Sequence, residues 1–117
     1  MGIFERGTNM AIKASTVRVA EVNPAAVARY KEMRSALLQS DDAEERRWCE
    51  IVVTSQLALL GHEGPFKLHA VRLFEMKVTK EQLERVILAG IGVTFVLPQA
   101  AQALDWIEEA HLGFSAR

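Results

Sequence analysis

The sequence predicts an all-α protein, and two observations lead to this class. Segments with apolar residues every three or four positions follow residues that commonly cap helices, and no stretch bounded by turns alternates with the period of a strand. The chain has 117 residues, half of them apolar, which is enough for one core without disulfides or metals. We therefore expect an N-terminal arm over residues 1–22 and a single domain of about five to six helices over residues 23–117.

The arm and the first helix differ in their patterning. Residues 1–22 mix glycines with scattered charges and show neither helical nor strand periodicity, which predicts an arm. Asn23 followed by Pro24 predicts a helix start, because asparagine caps helices and proline is tolerated at the first position. This helix should extend to about residue 39. Its apolar face would consist of Val27, Tyr30, Met33 or Ala36, and Leu37.

The second helix is expected to be the longest element. Asp41 and Glu44 have the spacing of a capping pair, and Gly61 follows the last apolar position as a helix stop. The helix should therefore run to Leu60. Its packing face is expected to consist of Trp48, Val52, Ser55 and Leu59, widened by Cys49, Val53 and Leu60.

The third and fourth helices follow from a proline and a capping box. A helix beginning at Pro65 should reach about residue 76 and carry His69 on its apolar face. In a capping box each of two side chains bonds a backbone N–H near the other, and Thr79 and Gln82 have this spacing. The fourth helix should therefore begin after Thr79 and continue through about residue 92.

An uncharged run over residues 86–104 is nearly as long as a membrane-spanning helix, which needs roughly 20 residues. Glycines, glutamines and Pro98 interrupt it, so we favour two shorter helices broken near Pro98 over a membrane span. The first of these, the fourth helix, would be buried almost all round. The fifth helix would run over about residues 98–111 and end near Gly113.

Charge and cysteine content limit the classes of partner and compartment. Lys and Arg together number 14 against 15 acidic residues, so no excess charge is available to attract nucleic acid or an anionic membrane. Cys49 is the one cysteine and cannot form a disulfide within the chain. We expect a reducing, cytoplasmic location, with Cys49 as a small buried apolar side chain.

Ionisable residues on apolar helix faces are the first candidates for chemistry, because burial and neighbouring charges tune their proton affinity. Glu50 and His69 fit this description. Two structural alternatives remain open. Glu50 could form a surface ion pair with Arg46 or Arg47 one turn earlier. His69 could be a core histidine bonded to a backbone carbonyl.

A metal site is a further alternative. His62 and Glu63 occupy the turn before the third helix, and with His69 they supply the ligands of a two-histidine, one-carboxylate site. The seven-residue step from His62 to His69 is not a usual ligand spacing. Exposed turn residues are the simpler interpretation, so no metal is expected.

The spacing of Glu50, His62, Pro65 and His69 resembles the frame of the carboxymuconolactone decarboxylase and AhpD-like family. In the thiol peroxidase branch this frame is a glutamate, a Cys-x-x-Cys pair and a histidine four residues after the second cysteine. Here His62 and Pro65 stand at the two cysteine positions. The resemblance therefore points to the branch without the cysteine pair.

A second segment extends the resemblance, which covers about residues 43–111. Residues 78–83 (VTKEQL) are similar to the family's Gly-Val-Thr-x-Glu-Glu-Ile segment, with Lys77 in place of the glycine. Residues 94–98 (TFVLP) stand where the family has Tyr-x-Gly-x-Pro, without the tyrosine or the glycine. These differences alter a wall of the family's pocket.

The resemblance implies a fold, an assembly and an activity. The fold is an AhpD-like helical bundle that forms a homo-oligomer, either a trimer or a hexamer. A disulfide-based peroxidase needs two thiols, which this frame lacks, so thiol peroxidase activity is not expected. If the chain is an enzyme, it would be a lyase. It would decarboxylate a small unsaturated lactone acid, or carry out related proton transfer, without a cofactor.

In that reaction His69 would act as the general acid and Glu50 would orient it. Four further residues would bind the substrate, the arginines through its carboxylates: Arg46, Arg47, His62 and Arg72. Two alternatives remain: a non-catalytic member of the fold that binds a small ligand or is purely structural, and a metal-dependent enzyme using His62, Glu63 and His69.

Overall fold

Six helices make up most of residues 14–117, the part of the chain that this computed structural model describes. They are α1 (Ser15–Val22), α2 (Pro24–Leu38), α3 (Ala43–Leu60), α4 (Glu63–Glu75), α5 (Lys80–Leu88) and α6 (Leu97–Ser115). Within these residues there is no strand, only an isolated parallel bridge between Ile91 and Phe95. The predicted all-α class is confirmed.

The chain falls into two compact units, divided after Gln39. α1 and α2 belong to the first unit, in which Val27 is buried, and α3 to α6 form the second. The prediction of an arm is wrong for residues 15–22, which form α1, while residues 1–13 lie outside the described residues. α1 has no side-chain cap, so no capping residue marks its start in the sequence.

Side-chain caps begin α2, α3 and α5. The Asn23 carboxamide oxygen accepts a hydrogen bond of 3.0 Å from a backbone N–H at the start of α2, as predicted. Thr79 and Gln82 form the predicted capping box of α5, with bonds of 3.0 and 2.9 Å. α3 is capped by Asp42 rather than by Asp41, because Asp42 immediately precedes the first helical residue.

α3, α4, α5 and α6 share one hydrophobic core. Its largest fully buried apolar side chains are Phe66, Leu73, Leu83, Ile87 and Ile107. The ring centroids of Phe66 and Trp106 lie 5.9 Å apart. Small residues on α6 leave room for its neighbours, and they are Ala100, Ala103 and Ala110. Phe66 on α4 is therefore a central packing residue of this unit.

Two lysines form ion pairs that link α6 to α4 and to α5. Lys67 on α4 pairs with Glu63, at 2.7 Å, and with Glu109 on α6, while Lys80 on α5 pairs with Glu108 at 2.8 Å. Partial burial alone would lower the pKa of Lys67, but hydrogen bonds to Glu109 and Glu63 outweigh it, and the pKa is raised. The hydrogen bond between Lys80 and Glu108 raises the pKa of the lysine and lowers that of the glutamate. Both lysines therefore stay charged near neutral pH.

α3 buries a different face from the one predicted. Thr54 and Ala58 are buried, whereas the expected packing stripe is largely exposed, with Trp48 57% and Val52 51% accessible. Cys49 is also exposed, so its expected place as a buried apolar residue is wrong. The helix carries apolar residues on two sides. Periodicity detects apolar faces but does not say which one meets the core.

The break in the uncharged run comes at residues 89–96, earlier than the expected break near Pro98. α5 ends at Leu88 and is not buried all round, since Leu88 is 49% exposed. α6 continues through Gly113 to Ser115 instead of ending near Gly113. Among the described residues, no helix has the length and apolarity that crossing a membrane requires.

Gly90 permits the tight connection between α5 and α6. Its carbonyl accepts hydrogen bonds from the N–H groups of residues 93–95, at 2.9 to 3.0 Å. A Cβ at this position would lie 2.6 Å from the Phe95 ring, so a larger residue would displace that buried side chain. The connection is therefore a closed turn.

α4 ends in a turn of the kind that usually contains glycine. Lys77 adopts a left-handed φ of 72°. The Val78 N–H bonds the Leu73 carbonyl and the Lys77 N–H bonds the Phe74 carbonyl, each at 3.0 Å. These are the two bonds of a Schellman motif, in which glycine is the preferred left-handed residue. Val78 and Leu73 are both buried and complete the apolar contact of the motif.

Replacing Lys77 with glycine is expected to raise the free energy of unfolding by about 1 kcal/mol. A side chain in the left-handed region costs about 1–2 kcal/mol, and the greater freedom of glycine in the unfolded chain offsets part of the gain. Urea unfolding measures this difference. Lys77→Ala keeps the Cβ and is the matched control, and an equal gain from alanine would contradict the backbone explanation.

Candidate functional site

Glu50 on α3 and His69 on α4 meet where these helices pack together. α3 ends at Leu60, the left-handed φ of 77° at Gly61 lets the chain turn, and two residues separate the helices. The packing of α4 against α3 brings residues 19 positions apart opposite one another. His69 Nδ1 and Glu50 Oε2 form a short hydrogen bond. The structure thus brings the two candidate residues together.

The pair lies at the edge of the core and not on the open surface. The side chain of His69 is 17% exposed and that of Glu50 is 12% exposed. Glu50 therefore does not form the surface ion pair with an arginine that the spacing allowed. His69 is bonded to a carboxylate rather than to a backbone carbonyl. Partial burial strengthens the bond between the two groups while a small part of each remains accessible.

The hydrogen bond determines which nitrogen of His69 is free for chemistry. An ionised carboxylate accepts hydrogen bonds and does not donate them, so the proton in this bond belongs to Nδ1. Nε2 is then the ring nitrogen that is free to exchange a proton with a substrate. The pair has the form of an oriented general acid or base.

Thr54 is a contributor to the site that sequence reasoning missed. It is fully buried, and its hydroxyl donates a hydrogen bond of 2.7 Å to the backbone carbonyl of Glu50. A threonine one turn after Glu50, inside an apolar stretch, is the signal that was available. The bond satisfies the buried hydroxyl, and it lies on the turn of α3 that carries the Glu50 carboxylate.

The predicted substrate-binding residues lie on α3, on α4 and in the link between them, and they do not bond to the pair. Arg46 donates a hydrogen bond to the Ser40 carbonyl, Arg47 is half-buried, and Arg72 is exposed. His62 is exposed where α4 begins, at the far end of the link from α3. Within residues 14–117, no hydrogen bond or ion pair joins these side chains to Glu50 or His69.

The residues of the metal-site alternative are not gathered into a site. Glu63 is paired with Lys67, and His69 is bonded to Glu50. In the described part of the chain, no group of three or more His, Cys, Asp or Glu side chains could hold a metal ion. The structure therefore gives no support to a metal centre at His62, Glu63 and His69, since Glu63 and His69 are bonded to other side chains.

Fold and site together define an all-α protein with a nearly buried His–Glu pair between two helices that pack together. No family model, curated protein or solved structure matches the chain. The chemistry of this pair and of the residues around it is therefore the basis for assigning a function.

Proposed function

We propose that this chain is a carboxymuconolactone decarboxylase-like protein that moves a proton on a small unsaturated acid without a cofactor. The observation that carries the proposal is the hydrogen bond between Glu50 and His69, residues that the family frame also pairs by spacing. A second observation supports the alignment with that frame. Lys77 stands where the family has glycine, and its φ of 72° is the conformation that glycine favours.

The proposed reaction is decarboxylation of an unsaturated lactone acid. The bond to the carboxylate breaks, carbon dioxide leaves, and the bonding electrons move through the double bond to the lactone carbonyl, giving a dienolate. Protonated His69 gives its Nε2 proton to carbon and the carbonyl re-forms. The neutral ring regains a proton from water, so the step consumes one proton for each carbon dioxide released.

Glu50 serves this step by holding the ring in one orientation. The bond from Nδ1 keeps Nε2 as the nitrogen that exchanges the proton. Thiol chemistry is not proposed, since a disulfide cycle needs a second thiol and Cys49 is the one cysteine in the sequence.

Release of carbon dioxide from carboxymuconolactone and related unsaturated acids tests the proposal directly. The purified protein should accelerate release above the rate measured without protein. Turnover at the background rate for every acid would contradict a decarboxylase. Saturable binding of the acids without turnover would instead favour the non-catalytic, ligand-binding alternative.

We also propose that the chain forms a homo-oligomer, a trimer or a hexamer. The support is the outward face of α3, where Trp48, Val52 and Leu60 are more than half exposed. Large apolar side chains grouped on one face are typical of surfaces that a partner covers, and further copies of this chain would be that partner.

Light scattering on the full chain measures its assembly. We expect a mass of three or six times 13.0 kDa at micromolar concentration, and a smaller mass for Trp48→Glu, which places a charge in the interface. A mass of 13.0 kDa for the unmodified protein would contradict the proposed oligomer.

A further inference from the structure

α2 carries an apolar face that is exposed to solvent in the single chain. We call this face the α2 stripe, and it consists of Ala26, Tyr30, Met33 and Leu37. All four residues are exposed, and each of the three large side chains is about half accessible or more. They follow one another at steps of four, three and four positions. Such steps keep side chains on one side of a helix and are those by which the helices of coiled coils pack together.

Packing within the first unit does not account for the stability of α2. On another side of the helix, Val27 lines a groove together with Val17 and Ala20 of α1. Val27 is the sole buried apolar residue within residues 14–39. A helix of 15 residues is marginal by itself in water, and most helical stability in proteins comes from packing of an apolar face. We therefore expect α2 to be stabilised by a further contact through the α2 stripe.

The outward face of α3 has the same spacing. We call it the α3 stripe, and it consists of Trp48, Val52, Ser55 and Leu59, again at steps of four, three and four. Its three apolar side chains are exposed, and Ser55 is half-buried. The first and last residues of each stripe are 11 positions apart, which is about 17 Å of helix. The two stripes match in length and spacing, so the side chains of one can interdigitate with those of the other.

The charges beside the two stripes are opposite in sign. Arg29 and Arg34 lie on the two flanks of the α2 stripe, and α2 has three basic residues and one acidic residue, a net charge of +2. Among the described residues, neither arginine has an ion-pair partner. Glu44 and Glu45 lie one turn before Trp48, on the side of α3 that carries the α3 stripe. Opposite charges favour a contact between unlike stripes over a contact between two like stripes.

The exposed apolar area indicates that each chain uses both stripes. Half-exposed side chains of this size each offer on the order of 100 Å² to a partner, so the six large apolar residues of the two stripes offer roughly 600 Å². Stable interfaces bury about 800 Å² on each partner. Both stripes together approach this area, whereas either stripe alone supplies only about half as much.

We propose that the α2 stripe of one copy of this chain packs against the α3 stripe of the next copy. Each chain carries one stripe of each kind, so the contact is head-to-tail, and head-to-tail contacts that close form rings. A trimer is one such ring, and it covers every stripe. The inference rests on the proposed homo-oligomer, whose interface it identifies, and is independent of the proposed reaction.

Cys49 allows a direct test, because it is exposed next to Trp48 at one end of the α3 stripe. A second cysteine is placed at either end of the α2 stripe, as Ala26→Cys or Leu37→Cys, and the full-length variant is oxidised. A disulfide needs Cβ atoms roughly 4 Å apart, so it reports direct contact. One of the two variants should form disulfide-linked chains, and which one depends on the direction in which the helices pack. Ala28→Cys, exposed on the opposite side of α2, is the matched control and should not link chains.

Electrophoresis without reducing agent and a count of free thiols distinguish the outcomes. The linked chains should disappear when Cys49 is also replaced with serine, because the disulfide joins α2 to α3. The proposal is overturned if neither end of the α2 stripe links chains, or if Ala28→Cys links them equally. Loss of thiols without linked chains also overturns it, because the disulfide then lies within one chain.

Light scattering gives a second test that needs no disulfide. Met33→Glu places a charge in the α2 stripe and should lower the mass from three or six times 13.0 kDa toward 13.0 kDa. Ser35→Glu, exposed on the opposite side of α2, is the matched control and should keep the full mass. An oligomer that Met33→Glu leaves intact overturns the contact but not the proposed oligomer, whereas a mass of 13.0 kDa for the unmodified protein overturns both. The decarboxylation assay tests the reaction separately.

Discussion

Replacing His69 with alanine is expected to lower kcat for decarboxylation by about 10²–10⁴, the range that a positioned general acid contributes. The loss should appear in kcat more than in KM, because the proton is delivered in the transition state and the arginines bind the substrate beforehand. Steady-state kinetics with carboxymuconolactone as the substrate measure both kcat and KM. An unchanged kcat would remove His69 from the mechanism.

Two comparison variants separate chemistry from structure in this experiment. Glu50→Gln keeps a hydrogen-bond acceptor for Nδ1 but replaces a charge-assisted hydrogen bond with a neutral one, so its loss in kcat should be smaller than that of His69→Ala. His111→Gln changes a histidine on α6 that contacts the Phe74 ring and lies outside the proposed site. It should retain activity, and a loss equal to that of His69→Ala would point to a general effect on folding.

Replacing Phe66 with alanine is expected to lower the free energy of unfolding by about 3–5 kcal/mol, as large-to-small changes of buried aromatic residues do. Phe66 is fully buried and its ring packs against Trp106, so the change leaves a cavity at the centre of the second unit. Domains of this size are stable by only about 5–15 kcal/mol. Urea unfolding followed by circular dichroism should therefore show a much lower midpoint.

Leu68→Ala is the matched control for this prediction. Leu68 lies two residues further along α4 and is 53% exposed, so its loss should cost less than about 1 kcal/mol. Similar losses for Phe66→Ala and Leu68→Ala would contradict the assignment of the core. The comparison also tests which face of α4 is buried, and with it the side of the helix on which His69 lies.

Local hydrogen-bonding signals predicted the helices well where they were present. Asn23 and the box of Thr79 and Gln82 cap helices as expected, because a cap depends on residues within one turn of itself. The same reasoning missed α1, which lacks a cap. It extended the fourth helix to about residue 92, because the turn at Gly90 depends on contact with the Phe95 ring.

The Glu50–His69 pair could be predicted from the sequence, whereas the arrangement of the residues around it could not. The spacing of Glu50 and His69 identified them as candidates, but nothing in the sequence pattern distinguished the three arginines near them. Separating Arg46 from Arg47 required knowing which side of α3 meets the core. Thr54 was missed because its position one turn after Glu50 does not by itself show that its hydroxyl is buried and bonded to the Glu50 carbonyl.

By itself, the sequence determined the all-α class, most helix starts and the two ionisable residues on which the proposed chemistry depends. These features are set by periodicity and by contacts within one or two turns. Only the tertiary structure decided that α3 turns Thr54 and Ala58 inward and Trp48 outward, and that Glu50 bonds His69 rather than an arginine. Those outcomes depend on which helices pack together. A helix with two apolar faces gains a similar free energy from burying either face, so the shape of the neighbouring helices decides which face is buried.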